Sequence, residues 1–261
     1  MIIVKLGGSV ITVKSKVKTL RPDNIQRLVR EVASVNEEVI LIHGAGSFGH
    51  KLAKKYKLNE GYQGDWQLYG LSRVLRDVRE LNHHLTCACV DEKLNPVSLA
   101  PASFVHFRNF NLNSLNEKLF SDNLQLGMTP LSFGDMVPDE KKGFAVCSGD
   151  DLMWYLATRL KPRIAVFATN VDGVFDSNPK EDPSAELLEM ITPDTIKGIR
   201  SVKVSGDDVT GEMRKKVKMG IEMARAGVDV HIVNGDVGGR LRKTIRGENV
   251  KGSWIPAKAF K

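Results

Sequence analysis

Apolar and polar positions along this chain change period several times. Residues 2–6 form a compact apolar run broken by Lys5 alone and ending in Gly7-Gly8-Ser9, which reads as a buried strand followed by a turn. Residues 22–35 switch to helical spacing, with Ile25, Leu28, Val29 and Val32 on one face and Pro22 in the first turn. A second strand is predicted at 39–42. It runs into His43-Gly-Ala-Gly-Ser-Phe-Gly-His50, after which 51–56 is helix-like. The longest amphipathic segment, 68–92, carries Leu71, Val74, Leu75, Val78, Leu81 and Leu85 on a single stripe. Further strands are predicted at 96–99, 128–133, 164–168, 228–233 and near Trp254, and further helices around 114–124, 150–160 and 211–226. Residues 169–183 read as a polar, turn-rich connection.

Strands separated by helices, many of them apolar on both faces, predict an α/β fold: a three-layer α/β/α sandwich with a central, mostly parallel open sheet. Ligands in such sheets bind beyond the carboxyl ends of the strands, where the glycine turns fall here. With 261 residues, no internal repeat and no low-complexity linker, the chain is read as one domain spanning 1–261.

Composition narrows the function little. Hydrophobic residues at 42% and charged residues at 26% are ordinary for a globular chain. The apolar start is shorter than a signal peptide, and no stretch approaches the roughly 20 residues of a membrane span, so a cytoplasmic protein is expected. Cys87, Cys89 and Cys147 form no CxxC pair and leave an odd count, against a disulfide framework or a structural metal site. The net charge of +7 admits a nucleic-acid surface or a pocket for small anions. Across the basic clusters at 14–18, 51–57 and 214–218 only Tyr56 is aromatic, not the interleaving of a base-stacking surface, and no nucleic-acid partner is expected.

Gly44-Ala-Gly46-Ser-Phe-Gly49 satisfies GxGxxG between a strand and a helix, so a dinucleotide site competes as a reading. The motif follows the second strand rather than the first, whose end already carries Gly7-Gly8-Ser9. Two such turns, one flanked by Lys5 and Lys14 and the other by His43 and His50, suggest two anion-binding surfaces facing each other; both leave backbone N–H groups free to approach phosphate oxygens without a Cβ in the way. Lys215 and Lys216 lie in the first turns of a predicted helix, where cations oppose the macrodipole, so a polyanion nearby is expected. Asp150 and Asp151, after Ser148-Gly149, read either as helix caps or as acids that orient lysines.

With those residues in place, the chain resembles the amino acid kinase family, and within it the archaeal-type isopentenyl phosphate kinase branch. The resemblance rests on Lys5-Leu-Gly-Gly-Ser9 with Lys14, the 43–50 turn, Phe133-Gly-Asp135, Ser148-Gly-Asp-Asp151, Thr169-Asn-Val-Asp-Gly-Val-Phe175 with Asn178-Pro179, and Asp208-Val-Thr-Gly211. It implies ATP with Mg²⁺, no protein-held metal, isopentenyl phosphate as small-molecule acceptor and a homodimer, with about 1–150 serving the acceptor and 151–261 the nucleotide. Lys5, Gly7, Gly8, Ser9 and Gly46 are implied around the ATP phosphates, and Thr169, Asp172, Gly173, Val174 and Gly211 around the nucleotide. Lys14, Lys215 and Lys216 are implied near the transferring group, with Asp150 orienting the lysines. Gly44, Ala45, Gly149 and His50 are implied on the acceptor side. Other acceptors of the family (acetylglutamate, carbamate, UMP), a dinucleotide-dependent oxidoreductase and a non-catalytic anion binder remain alternatives. One departure from the family pattern is Glu212, where a glycine is usual before Met213.

Overall fold

The computed structural model describes residues 1–179, 181–197 and 209–260; Lys180 in the turn-rich segment and Asp208 at the head of the last motif lie outside them. The chain begins with β1 (Ile2–Leu6), α1 (Gly8–Ile11), α2 (Pro22–Ala33), β2 (Val39–His43), α3 (Gly46–Lys55) and the long α4 (Leu68–Asp91). It continues through β3 (Pro96–Ser98), β4 (Val105–Arg108), β5 (Asn111–Leu115), α5 (Lys118–Gln125), β6 (Thr129–Phe133), β7 (Asp135–Asp139) and β8 (Gly143–Cys147). The described remainder is α6 (Gly149–Leu160), β9 (Ile164–Thr169), α7 (Pro193–Lys197), α8 (Val209–Arg225), β10 (Asp229–Asn234), α9 (Arg240–Ile245) and β11 (Gly252–Ile255).

Among the described residues, seven strands form the main sheet in the order β11-β10-β9-β1-β2-β6-β3. All its pairings are parallel except β10 with β11. β1 sits at the centre because both its faces are apolar. Ile2, Val4 and Leu6 enter one core with Ile25 and Leu28 of α2, Leu81 and Leu85 of α4, and Leu241 and Ile245 of α9. Ile3 enters the other, with Leu152 and Leu156 of α6 and Val217 and Met223 of α8. Helices therefore cover both faces, the three-layer arrangement expected from the sequence. Strand alternation puts Lys5 on Ile3's face, toward α6 and α8.

A second sheet, β5-β4-β7-β8, was not predicted. Its residues Val105, Phe107, Val137 and Ala145 join the core beneath α6. The expected helix at 114–124 is corrected accordingly: Ser114 and Leu115 belong to β5, and α5 starts only at Lys118. The β4–β5 turn places Asn109 and Phe110 at φ 53° and 65°, conformations usually signalled by Asn-Gly, so the sequence carried no hairpin mark there. Asp139 compensates. Its buried carboxylate accepts from the N–H groups of Asn109 (3.0 Å), Phe110 (2.7 Å), Lys141 (2.9 Å) and Lys142 (2.9 Å), pinning both hairpin turns. The third helix also starts earlier than expected, at Gly46 inside the glycine-rich turn. Among the described residues no helix is long and apolar enough to cross a membrane.

Candidate active site

At the carboxyl ends of β1, β2 and β9 the structure encloses a cavity of about 560 Å³. The two glycine turns form one wall of it. Gly7 donates its N–H to Ala168 (2.8 Å) and Gly44 to Leu6 (2.9 Å), so each turn is tied to a neighbouring strand end. The turns abut so closely that a Cβ on Gly8 would lie 2.5 Å from Cα of Gly46. Gly46 itself has φ +50°, and a Cβ there would lie 2.2 Å from Oγ1 of Thr12. Gly46 therefore serves the contact between the turns; the cavity itself is lined by Gly7, Gly8, Ser9, Gly44 and Ala45.

A charged cluster lines the same cavity. Lys5 from β1 hydrogen-bonds Asp150 at the start of α6, and Lys216 from α8 lies 2.9 Å from the other oxygen of the same carboxylate. Lys5, Asp150 and Lys216 are only 5%, 5% and 4% exposed. Burial would raise the Asp150 pKa, but the two ammonium groups outweigh it and hold it far below the usual carboxylate range. Lys216 is likewise pushed down by burial and carried up past its ordinary value by Asp150 and Glu212. For Lys5 burial dominates, the charge of Lys216 adds to it, and Asp150 opposes both.

The helix that supplies Asp150 is held by its own cap. Ser148 Oγ accepts from the N–H of Asp151 (3.1 Å), and the Asp151 carboxylate accepts from the N–H of Ser148 (3.3 Å). Gly149 lets this helix end approach β2, because a Cβ there would stand 3.0 Å from the His43 carbonyl oxygen and 3.4 Å from Cε of Lys5. Both readings of the Ser148-Gly-Asp-Asp151 motif thus hold: one acid caps and the other holds lysines. Asp151 also pairs with Lys215 at 2.8 Å. The two α8 lysines that seemed misplaced at a helix start each face an α6 carboxylate.

Glu212, one turn before Lys216 on α8, pairs with it at 2.8 Å and with Lys14 at 3.7 Å. Its carboxylate stays ionised: burial pushes the pKa up, but Lys216 and Lys14 bring it down to about 2. His50 lines the same cavity with its edge open to solvent. The enclosing walls lower its pKa, Glu212 opposes them, and Lys14, Lys5 and Lys216 lower it further, so the imidazole is neutral at pH 7. His43, flagged beside it in the sequence, is a different case. It is fully buried, stacks on Phe133 at 5.3 Å, and burial takes its pKa down to about 4.

The far part of the cavity is apolar, lined by Ala53, Val74, Val78, Met136 and Val146. Of the Leu71–Leu85 stripe, Val74 and Val78 reach the cavity, whereas Leu81 and Leu85 are sealed in the core under the sheet. Asp135 also lines the cavity, paired with Arg79 at 3.2 Å. In the sequence Asp135 carries no assigned site role and Glu212 stands out only as a departure from the family pattern, whereas Asp151 reads with Asp150 as a helix cap or a lysine-orienting acid. The signal for Asp135 and Asp151 was present in the Phe-Gly-Asp and Ser-Gly-Asp-Asp motifs.

On the opposite side Thr169, Asn170 and Val171 line the cavity. Asp172, Gly173 and Val174 do not. Asp172 is held by Lys251 (2.9 Å) and Arg240 (2.7 Å), whose hydrogen bonds bring its pKa down to about 2. Val174 donates its N–H to Ser253 (2.8 Å), and a Cβ on Gly173 would lie 2.5 Å from the same hydroxyl. These three residues lock the loop against β10 and β11. Gly211 lies in the first turn of α8.

Comparison with known proteins places this geometry. Residues 1–234 match the Amino acid kinase family. The chain is 34% identical to an isopentenyl phosphate kinase of Methanothermobacter thermautotrophicus, covering 99% of this chain and 100% of that protein. It is 33% identical to an isopentenyl phosphate kinase of Thermoplasma acidophilum, covering 90% and 92%. Among solved structures, one described as X-ray structures of isopentenyl phosphate kinase superposes with a TM-score of 0.86 at 32% identity, covering 98% of this chain and 99% of that one.

Proposed function

The chain belongs to the amino acid kinase family, and we propose that it is an ATP-dependent isopentenyl phosphate kinase, moving the γ-phosphoryl group of ATP onto isopentenyl phosphate to give isopentenyl diphosphate and ADP, a step toward isoprenoids. The observation that carries the reading is the joining, in one cavity, of a lysine cluster beside two glycine turns to an apolar end lined by Val74, Val78 and Met136. A short-chain alkyl phosphate matches that division of polar and apolar wall.

The chemistry needs little covalent help. Phosphoryl transfer through a loose transition state is favoured by positioning and by cations on the equatorial oxygens. Lys5, with the N–H groups of Gly8 and Ser9 and with Gly7 lining the turn beside them, would cradle the ATP phosphates, and Lys14 and Lys216 would meet charge growing on the transferring group. Lys215 stands beside them as a further phosphate contact. Asp150 fixes the direction of Lys5 and Lys216. A neutral His50 still donates one N–H to the acceptor phosphate, and Gly44, Ala45 and Gly149 leave room between the two substrates. Because the acceptor oxygen is already an anion, no general base is required.

Thr169 borders the nucleotide, with Asp172, Gly173 and Val174 bracing from behind and Gly211, at the start of α8, assigned to the same side. Among the described residues no three His, Cys, Asp or Glu side chains gather to hold an ion. Mg²⁺ would come with the nucleotide and draw charge from its phosphates. The proposal assigns the acceptor to about 1–150 and the nucleotide to about 151–261. It includes a homodimer, supported by the family resemblance, and a cytoplasmic setting, supported by three unpaired cysteines.

The test is a panel of acceptors with ATP and Mg²⁺. Isopentenyl phosphate is expected to exceed acetylglutamate, carbamate and UMP in kcat/KM by one to two orders of magnitude, since burying each CH₂ contributes roughly 0.8 kcal/mol. Comparable values for any of those acceptors would remove isopentenyl phosphate as the substrate. In the same assay His50→Ala should raise the acceptor KM by roughly tenfold or more while sparing that of ATP. A raised ATP KM with an unchanged acceptor KM would reassign His50.

A further inference from the structure

Two of the lysines that face the cavity already have an anion between them. We propose that Glu212 is a displaceable stand-in for phosphate: its carboxylate bridges Lys14 and Lys216 until a phosphate group takes its place, so that it filters ligands by charge. The inference rests on the kinase reading only for the identity of the phosphates.

Other carboxylates of this wall cannot serve. Asp150 is clamped between Lys5 and Lys216 and is buried. Asp151 is held in the cap of α6 as well as by Lys215, and Asp135 is held by Arg79 and by the N–H of Ala102. Glu212 is held by Lys216 and Lys14 alone among the contacts described for it, and its side chain is 49% exposed. With its side chain half exposed, moving the carboxylate to solvent need not unbury the core. Lys216 is buried and keeps Asp150 as a partner when this happens, so it stays charged and in position.

Charge decides the exchange. A carboxylate offers one negative charge on two oxygens; a phosphate monoester near neutral pH offers between one and two on three. Around the junction the ammonium groups of Lys5, Lys14 and Lys216 face the carboxylates of Asp150 and Glu212, so the cluster carries excess positive charge that draws anions in. A phosphate exceeds what Glu212 supplies. A carboxylate ligand only equals it, and so gains little by replacing a group already tethered there. Glu212 would thereby weaken all anion binding somewhat and bias the site toward phosphates.

The experiment measures binding without turnover. Inorganic pyrophosphate, and separately a non-hydrolysable ATP analogue with Mg²⁺, are titrated calorimetrically into the wild type, Glu212→Gln and Glu212→Gly. Glu140→Gln serves as the control for net charge, since Glu140 pairs with Arg108 on the surface and is absent from the cavity lining. The Glu212 variants are expected to bind pyrophosphate roughly three- to tenfold more tightly than Glu140→Gln, the size of one partly screened ion pair. The gain should shrink in a Lys14→Met background. Unchanged or weaker binding in both Glu212 variants, with unfolding midpoints near the wild type, would overturn the proposal and make Glu212 a positioning residue for Lys216. If one variant does not fold, the other decides. Pyrophosphate binding reads Glu212 even if the wild type fails to phosphorylate isopentenyl phosphate, so the two conclusions fail separately.

Discussion

Replacing Asp150 by Asn tests the cluster most directly. The substitution keeps the shape and removes the charge that two buried ammonium groups share, at 5% and 4% exposure. Deleting one partner of a buried ion pair costs roughly 3–5 kcal/mol. The alternative open to the folded chain is to release a proton from one lysine; from an ordinary pKa near 10.4 that costs roughly 4–5 kcal/mol at pH 7. The two routes set the same bound, so Asp150→Asn should lose about 3–5 kcal/mol in urea unfolding at pH 7. The pH dependence separates them. With a lysine pKa depressed in the folded state, the unfolded chain binds more protons, and stability rises with pH. The deficit of the variant relative to the wild type should therefore shrink by roughly 2–3 kcal/mol between pH 7 and pH 9. In the wild type the depressed Asp150 pKa works in the acid range instead: its contribution is present above about pH 4 and is lost as pH falls below that. A variant as stable as the wild type at pH 7 would refute the idea that Asp150 neutralises two ionised lysines, whereas a deficit unchanged between pH 7 and pH 9 would show that both lysines stay protonated in the variant.

Lys216→Ala should lower kcat with modest changes in either KM, because its contact with the transferring group strengthens as charge develops, whereas Lys215→Ala should cost less; steady-state kinetics showing the reverse order would exchange their roles. His43 should make the fold sensitive to mild acid. Its pKa is about 4 in the folded state and near 6.5 unfolded, so between those values the unfolded chain takes a proton the folded one refuses, and about 3 kcal/mol is lost as pH falls across that window. Denaturation midpoints against pH should fall less steeply for His43→Gln than for the wild type; parallel curves would remove the ring as the cause.

The main sheet was legible because its strands are buried on both faces and write continuous apolar runs, as at Ile2–Leu6 and Val39–His43. The second sheet was not, because β5 is largely exposed and its turn runs through Asn109-Phe110 rather than a glycine pair. Of the site, the glycine turns, Lys5, Lys14, His50, Asp150 and Lys216 could be located because their chemistry is local to motifs. What pairs with what could not. The contacts of Lys215 with Asp151 and of Glu212 with Lys14 join distant segments, and nothing in periodicity records them. The Asp172-Gly173-Val174 segment shows the converse: a motif local in sequence whose Asp172 carboxylate and Val174 N–H are spent on holding a loop outside the cavity lining.

Lys5 and Asp150 are 145 residues apart in sequence, and this separation governs the order in which the molecule can come together. β1 finds its partner β2 early along the chain but needs β9, far downstream, on its other edge. Contacts of such long range form slowly, since the loop must close before they contribute. Until α6 and α8 arrive, the carboxyl end of β1 holds an ammonium group that cannot be buried without its counter-charge. The first half of the chain therefore has to stay open to water at that end. Completion of the core and assembly of the reactive cluster are a single event in time, and an incompletely folded chain is for that reason also an inactive one.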